Sequence, residues 1–253
     1  YQKVKMISPI TNKIGRFLFS PTAKRILEQG KSTIDFDEIM NEGKILLCNV
    51  SKGKIGEDNS EVFGVVIMAK IQLAALKRAR VAMKDRKDFY LYVDEFQNFA
   101  TPAFAQILSE ARKYKLGAIL AHQTTSQIED KSLINVTLAN TGTVICFRTA
   151  NPEDEKLIFP QFQPYVEKGE IASLPSFRFY MRLGALNPEE PFSGSTTLTT
   201  ISENSEKVNE VIASSRQQYA IKHVEKKQEQ YRGGYVPKQK VYKSKRRPGN
   251  ILP

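Results

Sequence analysis

The strongest constraint on the fold is a run of β-forming residues from Phe89 to Val93, which is followed by two adjacent acids, Asp94 and Glu95. Such a run is typical of a strand buried in a parallel sheet, and sheets of that class bind ligands at the carboxyl ends of their strands. An Asp there can hold the magnesium ion of a nucleoside triphosphate, and a neighbouring Glu can polarise the attacking water. The alternative is that the acid only caps the turn that follows the strand.

Strands and helices are predicted to alternate along the chain. The predicted strands cover residues 44–50, 89–93, 116–123, 143–149 and 177–183, and the predicted helices cover residues 22–29, 59–83, 102–115, a stretch from 152, and 205–227. The helix at 102–115 has two start signals, since Thr101 can cap it and Pro102 can occupy its first position. The last strand alternates in polarity, which indicates an edge or a hairpin. Alternation at this spacing implies right-handed crossovers, so we expect an α/β fold with a mostly parallel sheet and helices on both faces.

The length and composition predict one sizeable α/β domain with an appendage. The chain has 253 residues, of which 41% are hydrophobic, and this fraction suits a packed core. We divide it into a remnant of an upstream segment (1–30), a core (31–186), a linker and C-terminal helix (187–227) and a disordered basic tail (228–253). Cys48 and Cys146 lie in apolar strand patterns, which predicts two reduced core thiols. No apolar run is long enough to span a bilayer, so we expect a soluble polypeptide.

Basic charge is concentrated near the C-terminus. Residues 216–253 contain 11 of the 38 Lys and Arg residues but only two of the 27 acids, and they therefore supply most of the net charge of +11. A basic segment poor in large apolar residues can attract nucleic acid or an anionic membrane surface, or it can simply keep the protein soluble. The candidate DNA contacts are Lys243, Lys245, Arg246 and Arg247.

Two further polar features accompany the strand-end acids. The next predicted strand ends in His122 and Gln123, which places an amide at the same rim of the sheet. The intervening helix has Arg112 close to its end. An amide at that rim could sense the γ-phosphate or orient water, and the arginine could reach the nucleotide of a neighbouring subunit. Together these residue types favour a nucleotide-hydrolysing ring.

The same residues resemble a known family. The segments that carry the resemblance are DEFQNF (94–99), SEARKY (109–114), AHQ (121–123) and NTGT (140–143), which leads to Phe147 and Arg148. In order and spacing they resemble the type IV secretion coupling proteins, that is, the TraD/TraG-type conjugative DNA-transfer ATPases of the HerA/FtsK superfamily. The resemblance covers roughly residues 32–186, which makes it more specific than any single motif.

The resemblance implies a RecA-like P-loop NTPase fold, ATP and Mg²⁺ as cofactors, and a homo-hexameric ring that moves DNA through its pore. Asp94 would match the acid on the magnesium side, Glu95 the catalytic base, and Gln123 the sensor of bound nucleotide. The partners implied are DNA, further copies of the chain, and secretion-channel or relaxase-type proteins. The full-length protein would be cytoplasmic at the inner face of the cell membrane, and it would contact the membrane only through a segment outside this chain.

Two arginines are candidates for the finger that acts on the adjacent subunit. By the resemblance Arg112 matches that role, and Arg148 is the second choice. The alternative for Arg148 is a structural ion pair with Glu153 or Asp154. The sequence leaves this choice open.

The chain departs from the family in lacking a P-loop. The only sequence similar to a P-loop is Gly30-Lys31-Ser32-Thr33. A P-loop also needs a glycine five positions before Gly30, where this chain has Arg25. It also needs a preceding strand, whereas the preceding residues are predicted to be helical, so we interpret Gly30 as a helix C-cap. We therefore expect the isolated chain to be inactive, incomplete at its N-terminal side, with the missing part upstream of Tyr1.

Three functions remain open at this point. The first is the C-terminal part of an ATPase that pumps DNA during conjugation or secretion. The second is a HerA-like DNA repair translocase with the same chemistry. The third is a non-catalytic module that binds DNA or a protein partner and has lost the phosphate cradle.

Overall fold

The computed structural model describes residues 20–128, 130–184 and 189–221. The helices are α1 (Pro21–Leu27), α2 (Phe36–Glu42), α3 (Lys52–Ile55), α4 (Glu57–Lys77), α5 (Pro102–Glu110), α6 (Lys131–Ala139), α7 (Pro152–Ile158) and α8 (Ser205–Tyr219). The strands are β1 (Phe89–Val93), β2 (Leu116–Leu120), β3 (Thr143–Phe147), β4 (Arg178–Leu183) and β5 (Phe192–Ser195). Helices and strands are thus mixed as the α/β prediction requires. Among the described helices, none has both the length and the hydropathy needed to cross a membrane.

Strands β1 and β2 form a parallel sheet, and their register runs from Phe89 opposite Leu116 to Val93 opposite Leu120. Main-chain hydrogen bonds continue the pairing beyond the strands, because the Ala121 amide donates to the Val93 carbonyl at 2.9 Å. The Phe96 amide in turn donates to the Ala121 carbonyl at 2.9 Å. The predicted parallel sheet is confirmed, and the carboxyl ends of both strands lie at the same edge.

Strands β3, β4 and β5 form a second, antiparallel sheet. Strand β4 lies in its middle, with Thr143 of β3 opposite Leu183 and Arg178 opposite Ser195 of β5. Strand β3 therefore does not join the parallel pair. Strand β4 is not at an edge, but it forms a hairpin with β5, which is the other position predicted for it. Strand β5 forms within the segment predicted to be a linker. Gly194 permits this pairing, since a Cβ at that position would overlap the Phe179 ring.

The strand predicted at residues 44–50 does not form. The segment joins no ladder with any strand that the structure describes, and Ile45 and Leu47 are 89% and 81% exposed. It runs beside β1, from which it is separated by a cavity of about 1280 Å³. An apolar run becomes a strand only where a neighbouring strand accepts its hydrogen bonds, and the side of β1 facing this segment offers no such pairing here. Cys48 is consequently exposed rather than a core thiol, whereas Cys146 of β3 is buried as predicted.

The core lies on one face of the parallel sheet. Its buried members come from β1, β2, α4, α5 and the turns beside them: Met40, Met68, Ile71, Ala74, Ala75, Val93, Phe96, Phe99, Phe104, Ile107, Ala111 and Leu116. Helix α4 approaches the turn after β1 closely, because a Cβ at Gly64 would overlap the Phe99 ring. On the opposite face Tyr90 and Tyr92 are 62% and 74% exposed, so within the described residues helices cover only one face of this pair.

The start of α5 matches its prediction. The Thr101 hydroxyl accepts a hydrogen bond from the Phe104 amide at 3.2 Å, and Pro102 is the first helical residue. The helix proper ends at Glu110 and continues as a 3₁₀ turn to Tyr114, after which Lys115 has a φ of 52°. The chain therefore reverses direction and enters β2 within one residue.

Gly30 is not a helix C-cap. Helix α1 ends at Leu27 with Glu28 at its C-cap, and the glycines with positive φ in the described residues do not include Gly30. The rejection of a P-loop at Gly30 is nonetheless supported, since a helix precedes it and the next helix begins only at Phe36. A phosphate-binding loop needs a strand before it and a helix start directly after it.

One buried arginine joins the elements at the amino end of the parallel sheet. Arg78 follows α4 and is only 1% exposed. Its guanidinium donates to the Asn41 side chain at 3.1 Å and to the carbonyls of Lys87 at 2.9 Å, Tyr114 at 2.8 Å and Met40. A buried guanidinium is tolerated only when its donors are satisfied, and here they connect α2, the entry to β1 and the entry to β2.

Helix α8 begins at Ser205 as predicted but ends at Tyr219, where Ala220 takes up an extended conformation. None of its residues is buried. The described residues up to Ala220 belong to one compact unit, and Ile221 belongs to the next. The tail residues Lys243, Lys245, Arg246 and Arg247 lie outside the described residues, so their role stays a prediction.

Candidate functional site

The two acids after β1 occupy a tight turn. Glu95 has φ 51° and ψ 47°, a left-handed conformation that is uncommon for residues other than glycine and occurs often at functional sites. The Glu95 main-chain amide donates to the Asp94 carboxylate at 3.0 Å, and this hydrogen bond stabilises the turn. Phe96 is buried directly afterwards. Its burial fixes the turn against the core and leaves the two carboxylates at the rim of the sheet.

Glu95 meets the amide predicted to lie at the same rim. The Gln123 amide nitrogen donates to one Glu95 oxygen at 2.7 Å. The other Glu95 oxygen accepts from the side-chain amide of Gln97. The parallel pairing of β1 with β2 thus brings together Glu95 and Gln123, which are 28 residues apart in sequence. A half-buried carboxylate held at both oxygens is suited to orienting a water molecule or a hydroxyl group.

Asp94 is exposed next to this pair. Mg²⁺ is commonly held by one or two carboxylates together with nucleotide phosphates and water, rather than by an all-protein cage. Across the described part of the chain, no group of three or more His, Cys, Asp or Glu residues could enclose a metal ion. Asp94 is a single exposed carboxylate at this rim, which is the kind of group that could supply one such ligand.

His122 follows β2, and the residue is exposed at the surface. Partial desolvation of the ring by the atoms around it lowers the pKa of the imidazole, while the charges of Asp154 and Glu95 oppose that shift. The net direction is downward, so the imidazole is held mainly neutral near pH 7. The pKa of His122 therefore depends on the charges of Glu95 and Asp154.

Asp154 is a residue whose place sequence reasoning missed. The residue is 7% exposed, and its carboxylate accepts hydrogen bonds from the Thr125 amide at 2.9 Å and from the Thr125 hydroxyl. Burial acts to raise the pKa of Asp154, but the hydrogen bonds from Thr125 and Thr124 and the charge of His122 outweigh it, so the pKa is lowered. The sequence offered only the position of Asp154 in the first turn of a helix, which does not identify a partner 29 residues away.

Arg112 is exposed and lies at the opposite end of the sheet. It belongs to the 3₁₀ turn before β2, whereas Gln123 follows the end of β2. A strand of this length spans roughly 16 Å at about 3.3 Å per residue, so Arg112 does not reach Glu95 of its own chain. The carbonyls beside it are held by Arg86, which donates to Lys113, and by Arg78, which donates to Tyr114.

Arg148 follows β3 and is exposed. The ion pair considered for it is not formed: Glu153 pairs with Lys156 at 2.7 Å, and Asp154 is bonded to Thr125. No carboxylate among the described residues lies within 4.0 Å of the Arg148 guanidinium. Arg148 thus remains available for a partner outside these residues.

Lys52 brings positive charge to the same region. It lines the cavity beside β1 together with Asp94 and Glu95. The hydrogen bond to Glu57 at 2.8 Å, followed by the charges of Glu61 and Glu95, raises the pKa of Lys52. The sequence alone did not single out Lys52, since a single lysine after an apolar run carries no specific signal.

One family model matches part of this chain. Residues 88–158 match the family model described as the TraM recognition site of TraD and TraG. The matched segment begins directly before β1 and ends with α7, so it contains Asp94, Glu95, Gln123, Arg112 and Arg148. Among proteins with curated descriptions, none matches the chain significantly.

Solved structures similar to this chain include two kinds of nucleotide-handling protein. The genome packaging NTPase B204 from Sulfolobus turreted icosahedral virus 2, in complex with AMPPCP, is 16% identical over 74% of this chain and 95% of that chain, with a TM-score of 0.45. In complex with sulfate it is 18% identical over 54% of this chain and 65% of that chain, with a TM-score of 0.39. The bacterial conjugative coupling protein TrwBdeltaN70, in its unbound monoclinic form, is 15% identical over 58% of this chain and 39% of that chain, with a TM-score of 0.48. The match thus spans well under half of the coupling protein.

We predict that His122 titrates below the ordinary histidine value of about 6.5. Changing Glu95→Gln or Asp154→Asn removes a negative charge that favours the imidazolium, so each change should lower the pKa of His122 further. The measurement is an NMR pH titration of the imidazole Cε1–H signal, with Glu210→Gln in α8 as a remote control. A midpoint above 6.5 would contradict the predicted direction, and a midpoint that neither substitution moves would show that the two carboxylates do not act on His122.

Proposed function

We propose that this chain, a TraD/TraG-type coupling-protein segment, forms the hydrolytic half of the nucleotide site of a DNA-transfer ATPase. The observation on which the proposal depends is the 2.7 Å hydrogen bond between Gln123 and Glu95 at the rim of the parallel pair. That rim is where sheets of this class bind ligands. A base and an amide held together at such a position suit the hydrolysis of a phosphoanhydride.

In this proposal Glu95 is the general base that takes a proton from the attacking water. Gln123 donates its amide to Glu95, and in this proposal the same amide contacts the γ-phosphate or the attacking water when a triphosphate is bound. Asp94 holds the magnesium ion, which when bound neutralises charge on the β- and γ-phosphates. We also propose that the sheet is part of a RecA-like fold.

The phosphate-binding loop is proposed to lie outside these 253 residues. The sequence contains no Gly-rich loop of the required spacing followed by Lys and Ser or Thr. Without backbone amides around the β- and γ-phosphates, the carboxylates have no triphosphate to act on. We therefore expect activity from the full-length protein that contains this chain, and none from the chain alone.

The position of Arg112 supports a shared site between copies of the protein. Because it lies at the rim opposite Glu95, it can stabilise transition-state charge only in the site of an adjacent subunit. A hexameric ring arranges subunits head to tail in this way. Arg148 is the second candidate, since it is exposed and has no ion pair among the described residues.

DNA is the proposed cargo, and secretion-channel or relaxase-type proteins are the proposed partners. The family match is described by recognition of TraM, which supports a protein partner at the transfer machinery. Lys243, Lys245, Arg246 and Arg247 are proposed to contact DNA phosphates. We also propose that the full-length protein lies at the cytoplasmic face of the membrane, which it contacts only through sequence outside this chain.

We predict that Glu95→Gln in the full-length protein lowers ATP turnover by about 100-fold or more and leaves nucleotide affinity nearly unchanged. The amide keeps the hydrogen-bonding shape of the carboxylate but cannot accept a proton from water. The measurements are steady-state ATPase rates and equilibrium binding of a fluorescent ATP analogue. Glu210→Gln, an exposed acid paired with Lys207 at 3.2 Å, is the matched control. Undiminished turnover would contradict the role of Glu95 as base.

Mixing the same variant with arginine variants identifies the residue that acts between subunits. Neither Glu95→Gln nor Arg112→Ala assemblies should turn over ATP alone. Mixed assemblies should recover part of the activity, because an intact Glu95 of one subunit then meets an intact Arg112 of its neighbour. Recovery with Arg148→Ala, and none with Arg112→Ala, would transfer the role to Arg148. Recovery with neither would remove both arginines from the shared site.

We predict that removal of residues 222–253 flattens the dependence of DNA affinity on salt. Each lysine or arginine that neutralises a phosphate contributes about −0.9 to the slope of log affinity against log salt. Truncation after residue 221 keeps α8 intact, so the change removes only the tail and the six residues before it. The measurement is fluorescence anisotropy of labelled duplex DNA over a salt series. An identical slope in both proteins would exclude the tail from the DNA interface.

A second candidate is a non-catalytic module that binds DNA or a protein partner. The absence of a phosphate-binding motif from the 253 residues favours it. The two candidates differ in one observable, since the motor binds ATP in the full-length protein and the module does not. Absence of nucleotide binding in the full-length protein would therefore favour the module.

A further inference from the structure

The described structure contains a buried carboxylate that the proposed reaction does not use. Asp154 lies in the first turn of α7, and the residue is 7% exposed. Thr125 donates to its carboxylate twice, through the main-chain amide at 2.9 Å and through the hydroxyl. A buried carboxylate is costly unless it is hydrogen-bonded, so two bonds to one residue define a fixed contact rather than a surface ion pair.

This contact fixes the main chain that follows Gln123. Thr125 begins a 3₁₀ turn, and the Thr124 hydroxyl caps that turn by accepting from the Ser126 amide at 3.2 Å. The Thr125 carbonyl accepts from the Lys131 ammonium at 3.2 Å. Residues 124 and 125 are therefore held from several directions. Gln123, by contrast, is exposed, and its side chain is bonded to Glu95.

We propose that Asp154 is a positioning residue, which sets the main chain at Thr125 and thereby holds the Gln123 amide against Glu95. The inference rests on the proposed function, since it assigns Gln123 a part in turnover. It goes beyond that function because Asp154 belongs to α7, the helix that follows strand β3 of the other sheet. No contact of Asp154 with nucleotide is needed.

The contact also connects two candidate groups of the site. Arg148 lies between β3 and α7, Asp154 lies in the first turn of α7, and Gln123 and Thr125 belong to the segment after β2. A displacement of the stretch from Arg148 to Asp154 must therefore move the segment after β2 or break a buried, charge-assisted hydrogen bond. The Asp154–Thr125 contact thus links the segment that carries Gln123 to the segment that carries Arg148.

A purely structural contact would stabilise the fold without acting through Gln123. The two roles differ in a double-mutant cycle, because residues that act through one another have non-additive effects whereas independent residues have additive ones. Thr125→Val suits the cycle, since it keeps the main-chain amide and the side-chain shape and removes only the hydroxyl bond to Asp154. Thr137→Val is the matched control, because it removes a hydroxyl bond to the Leu133 carbonyl at 2.7 Å within α6.

The experiment measures kcat and KM for ATP in the full-length protein for Thr125→Val, Gln123→Ala and the double variant. We expect Thr125→Val to lower kcat about tenfold or more with KM within about twofold, because a displaced group loses catalysis rather than binding. In the Gln123→Ala background, Thr125→Val should cause no further loss. Thr125→Ser should restore kcat, and Thr137→Val should leave it unchanged.

Equal losses of kcat in both backgrounds would overturn the inference, as would an unchanged kcat in Thr125→Val. If Thr125→Val does not fold, Asp154→Asn takes its place in the same cycle, with the same expected non-additivity and the same contradicting result. A parent protein that neither binds nor hydrolyses ATP would instead contradict the proposed function itself. The two failures are therefore distinguishable.

Discussion

The parallel register of β1 and β2 is the constraint on which the rest of the site depends. Its hydrogen bonds continue past both strands, from Ala121 to Val93 and from Phe96 to Ala121, so the turn after β1 and the end of β2 form one rigid edge. Glu95 and Gln123 meet because of this register and not because of any local signal. A shift by one residue would move each side chain to the other face and separate them. The close approach of Gly64 to Phe99 then fixes the turn from the core side.

The two ends of the same sheet serve different purposes in this account. The carboxyl edge holds Asp94, Glu95 and Gln123, whereas the amino edge is joined by the buried guanidinium of Arg78 and presents Arg112. Acids at one edge and an exposed arginine at the other suit subunits that meet head to tail. The Asp154–Thr125 contact adds a second connection, through which the segment after β3 reaches the segment that carries Gln123. The proposed site therefore depends on both sheets.

The sequence predicted the parts of the fold that local chemistry decides. Strand β1 and the Thr101–Pro102 start of α5 follow from β-forming residues and a capping pattern, and the structure has both. Residues 44–50 carry an equally apolar pattern yet form no strand, because strand formation needs a pairing partner that a pattern does not reveal. The antiparallel pairing of β3 and the Asp154–Thr125 bond were beyond prediction for the same reason, since both join residues far apart in sequence. The meeting of Glu95 with Gln123 was predictable, because parallel strands share an edge.

The most direct test of the account is a structure of the full-length protein with Mg²⁺ and a non-hydrolysable ATP analogue. We predict that the γ-phosphate lies at the rim of the β1–β2 pair, with the Gln123 amide and a Glu95-bound water within about 3 Å of it. Asp94 should then lie on the magnesium side of the same nucleotide. A triphosphate bound elsewhere, or Glu95 and Gln123 both turned away from it, would contradict the central claim.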